Sequence, residues 1–379
     1  MTSPAAHRDA AATGAAPLRI LLAGGGTAGH VNPLLATAAA IRELRPDTEI
    51  VVLGTVEGLE ARLVPEAGLE LVTIDKVPFP RRPNAAAARF PGRLARTVST
   101  VRRLMRARRI DAVVGFGGYV CPPAYLAAAS LRIPLIVHEA NRRPGMANRL
   151  GARRAALVAT AFADTPLPRA ERIGMPMRAA VARLDRAARR EEARRRFGLD
   201  PDRPTLLVTG GSLGAARLNA AIAETASEVV DSGAQILHIT GRGKTEGLPE
   251  LPGYVVREYV TAMEDAYAAA DLAVLRSGSG TVNEIAAIGL PSVLVPLPIG
   301  NGEQALNGEG LVTAGGAIMI DDADFTAVAV RERVAPLLHD AAALRSMSSA
   351  AAAFGIPDAA ERLAARILET GDTFRGARA

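Results

Sequence analysis

LRILLAGGGTAGHVNP, residues 18–33, joins an apolar run to a glycine-rich turn. Leu18 to Ala23 reads as a buried strand, and a helix is expected from about Pro33. Gly24, Gly26 and Gly29 between them spell G-x-G-x-x-G, the spacing of a dinucleotide-binding turn. Such glycines let the backbone approach a ligand closely, and the helix N-terminus that follows favours negative charge. Two details depart from a nicotinamide site. The second strand, EIVVLG (49–54), is followed by no acid before Glu57, so the carboxylate that would hold a ribose is missing. His30 also stands directly after the last glycine, where a dinucleotide loop has no use for it. An imidazole changes charge near neutral pH, so His30 at this turn suits proton abstraction. A turn kept only for packing is the alternative.

Outward from this turn the pattern repeats. DAVVGFGG (111–118) and IPLIVHEAN (133–141) read as further strands, each running into a glycine-rich or polar loop. Near residue 204 it restarts: PTLLVTGGSLGAARLN (204–219) is again strand, glycine loop and helix. AQILHITG (234–241), GYVVREYV (253–260), LAVLRSG (272–278) and PSVLVPLP (291–298) follow. Strands alternating with helices predict α/β architecture: two Rossmann-like, doubly wound parallel sheets facing across a cleft. Ligands bind beyond the carboxyl ends of such strands, so both glycine loops would open into that cleft. The expected divisions are a disordered tail over 1–17, an N-terminal domain over 18–176, a C-terminal domain over 177–355, and a final segment, 356–379, packing back on the N-terminal half. GMPMR (174–178) reads as the hinge. RAARREEARRRF (186–197) mixes both charge signs and reads as an exposed helix.

Composition bounds the function. In 379 residues, 49% are hydrophobic and 3% aromatic, so the core is built from Ala, Val, Leu and Ile. The net charge is +6, but the only lysines are Lys76 and Lys244. With the heavy alanine use, this arginine bias reads as coding preference, and nucleic acid is not an expected partner. A single cysteine, Cys121, excludes an internal disulfide and a multi-cysteine zinc site, and fits a reducing cytosol. No signal peptide and no apolar run of membrane-spanning length are evident.

Three further segments carry chemistry. RSGSGTVNEIAAIGLP (276–291) follows a strand and opens a helix. Amides at Ser279, Gly280 and Thr281 suit a diphosphate, and Glu284, one turn on, suits ribose hydroxyls; a Thr281–Glu284 capping box is the alternative. NGEQALN (301–307) offers Gln304, which both donates and accepts, against an ordinary polar loop. Residues 81–109 hold ten arginines and no acid, with Leu94, Val98, Val101 and Met105 on one helical face. That basic amphipathic surface suits an anionic membrane, or else it is a solvated helix covering the sheet. DDAD (321–324) contains D-x-D, but before FTAVAVRERV it reads as a helix N-cap rather than a metal site.

Taken in order, GGGTAGHVNP, GFGGYVCPPAYLAA (115–128), HEANRRPGMANRL (138–150), GMPMR, GGSLGAARLN, RSGSGTVNEIAAIGLP and NGEQALN resemble the motifs of the MurG family, bacterial peptidoglycan glycosyltransferases. The resemblance implies the two-domain GT-B fold. It implies inverting transfer of N-acetylglucosamine from UDP-N-acetylglucosamine to the muramyl 4-hydroxyl of lipid I, giving lipid II. It further implies peripheral attachment to the cytoplasmic face of the bacterial cell membrane, through the basic 81–109 segment, and contact with other cell-wall synthesis proteins. No cofactor beyond the donor substrate and no metal are expected. Carried over, Thr27, Ala28 and Gly29 lie near the donor diphosphate or sugar, and Asn141 and Gln304 contact N-acetylglucosamine. Arg178 faces a phosphate, Ser212 and Ser279 to Thr281 contact the diphosphate, Glu284 holds the ribose, and the backbone of Val260 meets uracil. His30 is the candidate base or acceptor-site residue. Ala28, Ala140, Leu213 and Glu303 depart from residues common in the family. Competing readings are another UDP-sugar enzyme of this fold (a natural-product glycosyltransferase or a UDP-N-acetylglucosamine epimerase) and a non-catalytic basic membrane-binding protein.

Overall fold

The computed structural model describes residues 16–80, 85–211, 214–298 and 302–378. The first half runs β1 (Arg19–Gly24), α1 (Ala28–Leu44), β2 (Glu49–Gly54), α2 (Glu60–Glu66), β3 (Glu70–Thr73), α3 (Ala85–Ala107), β4 (Ala112–Gly117), α4 (Cys121–Leu131), β5 (Leu135–Glu139), α5 (Met146–Ala152), β6 (Leu157–Thr160) and β7 (Ala170–Arg172). Its seven strands are ordered β3-β2-β1-β4-β5-β6-β7. The second half begins with α6 (Ala179–Ala182) and α7 (Arg186–Phe197), then β8 (Thr205–Thr209), α8 (Ala216–Asp231), β9 (Gln235–Ile239), β10 (Tyr254–Arg257), α9 (Met263–Ala269), β11 (Leu272–Leu275), α10 (Ser279–Ala287), β12 (Ser292–Leu294), α11 (Glu303–Thr313) and β13 (Ala317–Met319). Its six strands are ordered β10-β9-β8-β11-β12-β13. α12 (Ala327–Ala329), α13 (Ala335–His339), α14 (Ala341–Phe354) and α15 (Ala359–Gly376) complete the chain.

The pairings in both sheets are parallel. Helices cover both faces, which is why the central strands are apolar on both sides: Ile20, Leu21 and Leu22 in β1 and Leu206, Leu207 and Val208 in β8 have no exposed surface. In each sheet the strand order reverses beside the first strand, between β1 and β4 and between β8 and β11. The loops leaving those strands therefore diverge and leave a crevice at the carboxyl edge. The chain crosses between halves at Gly174–Met177: Met175 and Met177 are buried in the second half's core, whereas the Gly174 carbonyl accepts a 2.9 Å hydrogen bond from His138 Nε2 in β5. α15 returns to the first half, where Leu363, Ala364 and Ile367 pack with Leu18 and Ile20.

Three expectations are corrected. α1 begins at Ala28, not near Pro33; the proline removes only the bond to the Gly29 carbonyl, and the helix continues through it. α7 is not simply an exposed helix: its Arg194 is fully buried and pairs with Asp271 at 2.6 Å. DDAD does not cap a helix through its carboxylates; Thr326 caps the next helix, and Asp322 pairs with Arg217 at 3.0 Å and Arg276 at 2.6 Å.

Two buried histidines set a pH limit on this fold. Burial pushes His138 and His238 each down to about 4. His238 accepts from the Tyr254 hydroxyl at Nδ1 and donates to Asn219 from Nε2, so a second proton requires that hydroxyl to turn from donor to acceptor. His138 Nδ1 has no partner for one. With folded values below the ordinary 6.5, the unfolded chain binds more protons at mildly acid pH. Stability present above about pH 6.5 is therefore lost as pH falls toward 4, by about 1.4 kcal/mol per histidine per pH unit. Denaturant unfolding at pH 6 and pH 5 should differ by about 2 kcal/mol; equal midpoints would show that these imidazoles are not held neutral.

Candidate active site

The carboxyl edge of the first sheet brings together loops that are distant in sequence. His30 sits in the first turn of α1, half-buried, with Nδ1 3.0 Å from the Gly25 carbonyl and 3.3 Å from the Thr27 hydroxyl. A carbonyl only accepts, so Nδ1 carries a hydrogen, and in the neutral imidazole the lone pair is then on Nε2. The ring lies against the end of β4: a Cβ on Gly117 would stand 2.7 Å from His30 Cδ2 and Nε2, and one on Gly118 would stand 2.5 Å from the Gly25 oxygen. Both glycines have positive φ, +110° and +90°, so this close approach also uses backbone that other residues rarely adopt. Thr27, Ala28 and Gly29 are exposed at the N-terminus of α1, with no side chain capping its first amides.

A residue missed in the sequence underlies this arrangement. Glu60, at the start of α2, is fully buried. Its Oε2 accepts from the Gly26 amide at 2.8 Å, and its Oε1 accepts from the Thr55 amide at 2.9 Å and the Thr55 hydroxyl at 2.8 Å. Burial alone would raise its pKa, but the amides of Gly26, Glu60 itself and Thr55, with the Thr55 hydroxyl, outweigh that and hold it below the ordinary value. The acid sought at the end of β2 thus exists six residues on, turned inward to the loops rather than outward to a ribose.

The HEAN loop after β5 is braced in a similar way. Glu139 is buried and accepts from the Asn141 amide (2.9 Å), the Gly145 amide (3.0 Å) and Asn148 Nδ2 (3.0 Å). Asn141 reaches the other half of the molecule: its Oδ1 accepts from Asn307 Nδ2 of α11 at 3.3 Å, and Asn307 Oδ1 accepts from the Arg142 amide at 3.0 Å. Arg142 also pairs with Glu309. Gln304 lies one turn earlier on α11 and accepts from the Leu297 amide at 3.0 Å. Asn141 and α11, which carries Gln304, thus meet where the halves face each other, and Asn307, the last residue of NGEQALN, makes the contact.

On the second sheet, α10 opens at Ser279 with Gly278 as its N-cap and no side-chain cap. The capping-box alternative is not formed. Glu284 instead accepts from the Tyr267 hydroxyl at 2.8 Å, and burial raises its pKa. Arg178 pairs with Glu264 at 3.2 Å, its side chain half-exposed. Val260 lies half-buried in the loop after β10. Gly280 and Thr281 occupy the first turn of α10. Ser212 and Leu213 lie outside the described residues, as do Asn301, Arg81 and Arg82. Among the described residues no group of three or more His, Cys, Asp or Glu could hold a metal ion.

The arginine-rich segment resolves into two parts. Val101 and Met105 of α3 are buried, and Leu94 and Val98 are half-buried, so the apolar stripe serves the fold rather than a bilayer. Arg89, Arg93, Arg96, Arg103 and Arg106 remain on the exposed face, beside the Phe79–Phe90 ring pair at 5.3 Å. No helix among the described residues is long and apolar enough to cross a membrane.

Comparison with known proteins finds a family match in each half of the chain. The glycosyltransferase family 28 N-terminal domain matches residues 20–160, and the family 28 C-terminal domain matches 205–363. The UDP-N-acetylglucosamine–N-acetylmuramyl-(pentapeptide) pyrophosphoryl-undecaprenol N-acetylglucosamine transferase of Clavibacter michiganensis is 56% identical over 345 residues, 91% of this chain and 94% of the relative. Its namesake in Paenarthrobacter aurescens is 53% identical over 358 residues, 93% and 96% of the two chains. The crystal structure of Acinetobacter baumannii MurG, 27% identical, superimposes with a TM-score of 0.76 over 93% of this chain and all of that one.

Proposed function

The chain belongs to glycosyltransferase family 28, and from that membership we propose that it transfers N-acetylglucosamine from UDP-N-acetylglucosamine to undecaprenyl-diphosphate-linked N-acetylmuramoyl-pentapeptide, lipid I, to give lipid II. One observation carries the site reading: an imidazole held through Nδ1 by a backbone carbonyl stands on the carboxyl edge of one sheet, and an uncapped helix N-terminus with a carboxylate one turn on stands on that of the other.

His30 Nε2 takes the proton of the muramyl 4-hydroxyl as its oxygen attacks the anomeric carbon. The bond from that carbon to the diphosphate oxygen breaks on the opposite face, inverting the centre, and the negative charge passes to UDP. Amides at Ser279, Gly280 and Thr281, the loop at Ser212, and Arg178 oppose that charge. Glu284 accepts from the ribose hydroxyls, and the Val260 backbone meets uracil. Asn141 and Gln304 hold the N-acetylglucosamine, with Thr27, Ala28 and Gly29 beside the diphosphate or sugar. Neither a cofactor nor a metal takes part; the D-x-D carboxylate at Asp322 is already engaged by two arginines. The acceptor's lipid is met at the cytoplasmic face of the cell membrane, where the exposed arginines of α3 face anionic headgroups. The partners are then this lipid surface, both substrates and cell-wall synthesis proteins, and not nucleic acid.

The test is transfer of radiolabelled N-acetylglucosamine to a lipid I analogue in anionic vesicles with EDTA present. Labelled disaccharide on the floated vesicles supports the reading. Product only after magnesium is restored would overturn the metal-free mechanism. Donor converted without acceptor would make the protein an epimerase. Binding to vesicles without UDP affinity would leave it a non-catalytic membrane protein.

A further inference from the structure

Glu60 and His30 address opposite ends of one peptide group. The Gly25–Gly26 peptide donates its N–H to Glu60 Oε2 at 2.8 Å and accepts the Nδ1 hydrogen of His30 on its carbonyl at 3.0 Å. The geometry assigns Glu60 as a positioning residue that acts on His30 through this single peptide, fixing the imidazole with its hydrogen on Nδ1 and its lone pair on Nε2. This rests on the reading of His30 as the group that takes the acceptor's proton.

Two physical effects run along the relay. A carboxylate at the N–H end polarises the amide and concentrates negative charge on its carbonyl oxygen, which strengthens the bond from His30. The same carboxylate prevents the peptide from flipping, because a reversed plane would aim the Gly25 oxygen at Glu60. The Thr55 amide and hydroxyl occupy the other carboxylate oxygen, so the side chain has little freedom of its own.

The surroundings are built for this carboxylate. A Cβ on Gly25 would fall 2.3 Å from Glu60 Oε1, one on Gly54 2.5 Å from its Cγ, and one on Gly58 2.0 Å from its Oε2. Three glycines thus leave room for a fully buried acid. A loop that needed only to turn would not require a charge beneath it. A buried carboxylate is costly unless its oxygens are satisfied, and here they are satisfied by the loops that shape the site.

Glu60→Gln tests the assignment. The amide offers one acceptor oxygen for two loops and removes the charge. The readout is the tautomer of His30 by long-range proton–nitrogen NMR on histidine-labelled protein, its signals identified through His30→Gln. In the unaltered protein Nε2 should appear as the unprotonated nitrogen. In Glu60→Gln the two tautomers should mix, kcat should fall by about 10- to 100-fold, and KM for the donor and the affinity for UDP should stay within about two-fold. Unchanged UDP affinity shows that the second half is folded, and a thermal unfolding profile like that of the unaltered protein shows that the first is. If glutamine is not tolerated, Glu60→Asp, its carboxylate drawn back by one methylene, is read in the same way. An Nε2-protonated His30 in the unaltered protein overturns the assignment, and so does a tautomer indifferent to Glu60. Neither result bears on glycosyl transfer itself, which the labelled-product assay decides separately.

Discussion

His30→Ala is expected to reduce turnover by about 10²- to 10⁴-fold, the range for loss of a positioned acid or base, and to leave UDP affinity near that of the unaltered protein. The separation follows from the architecture. Most groups proposed for the nucleotide, Ser279 to Thr281, Glu284 and Val260, stand on the second sheet, whereas the His30 side chain stands on the first, held by the Gly25 carbonyl. Alanine is a better helix former than histidine, so helix propensity does not oppose the substitution, and the loss is that of the imidazole's own contacts. Steady-state transfer of labelled sugar gives the turnover, and calorimetric titration with UDP gives the affinity. Turnover close to that of the unaltered protein would remove His30 from the chemistry. A parallel loss of UDP affinity would mean that the substitution had disturbed both halves.

How far the sequence foretold this site depends on where each residue finds its partners. The strands at the centre of each sheet were legible because burial on both faces demands unbroken apolar runs: RILLAG, AVVGFG, TLLVT and LAVL have few polar positions to confuse the reading. The strands that escaped notice are β3 (ELVT), β6 (LVAT), β7 (AER) and β13 (AIM). They lie at or next to sheet edges, and at three or four residues each they are too short for a pattern to stand out. Glu60 was not legible for a different reason. Its partner is the backbone amide of Gly26, 34 residues earlier, and no side-chain pattern records a backbone donor. The available signal was indirect: glycines at 54 and 58 shortly before an acid just beyond a strand. Periodicity likewise showed that Leu94, Val98, Val101 and Met105 share a face, but not what covers it, and the answer is the fold's own core. Asp322 and Arg194 were misread because a run of charges looks the same whether it meets water or a buried partner.

The close packing of His30 on the glycine pair after β4 carries the last expectation. Gly117→Ala introduces two costs that a second variant separates. The new Cβ would lie 2.7 Å from the imidazole Cδ2 and Nε2, so the ring must leave its place, and φ of +110° strains any residue with a side chain. Gly198, the C-cap of α7, also has positive φ, +79°, but nothing lies within 4 Å of its added Cβ. Gly198→Ala therefore carries strain without displacement, at about 1 kcal/mol. Gly117→Ala should lose about 1–3 kcal/mol from strain of the same kind, and in addition about 100-fold in turnover, because the proton acceptor has been displaced from the bond it must serve. Thermal unfolding compares the first cost in the two variants, and labelled transfer compares the second. A loss of turnover in Gly117→Ala alone, at temperatures where both variants remain folded, would tie the reaction to the position of the ring. Undiminished turnover in Gly117→Ala would show that the reaction does not depend on the imidazole being held against β4.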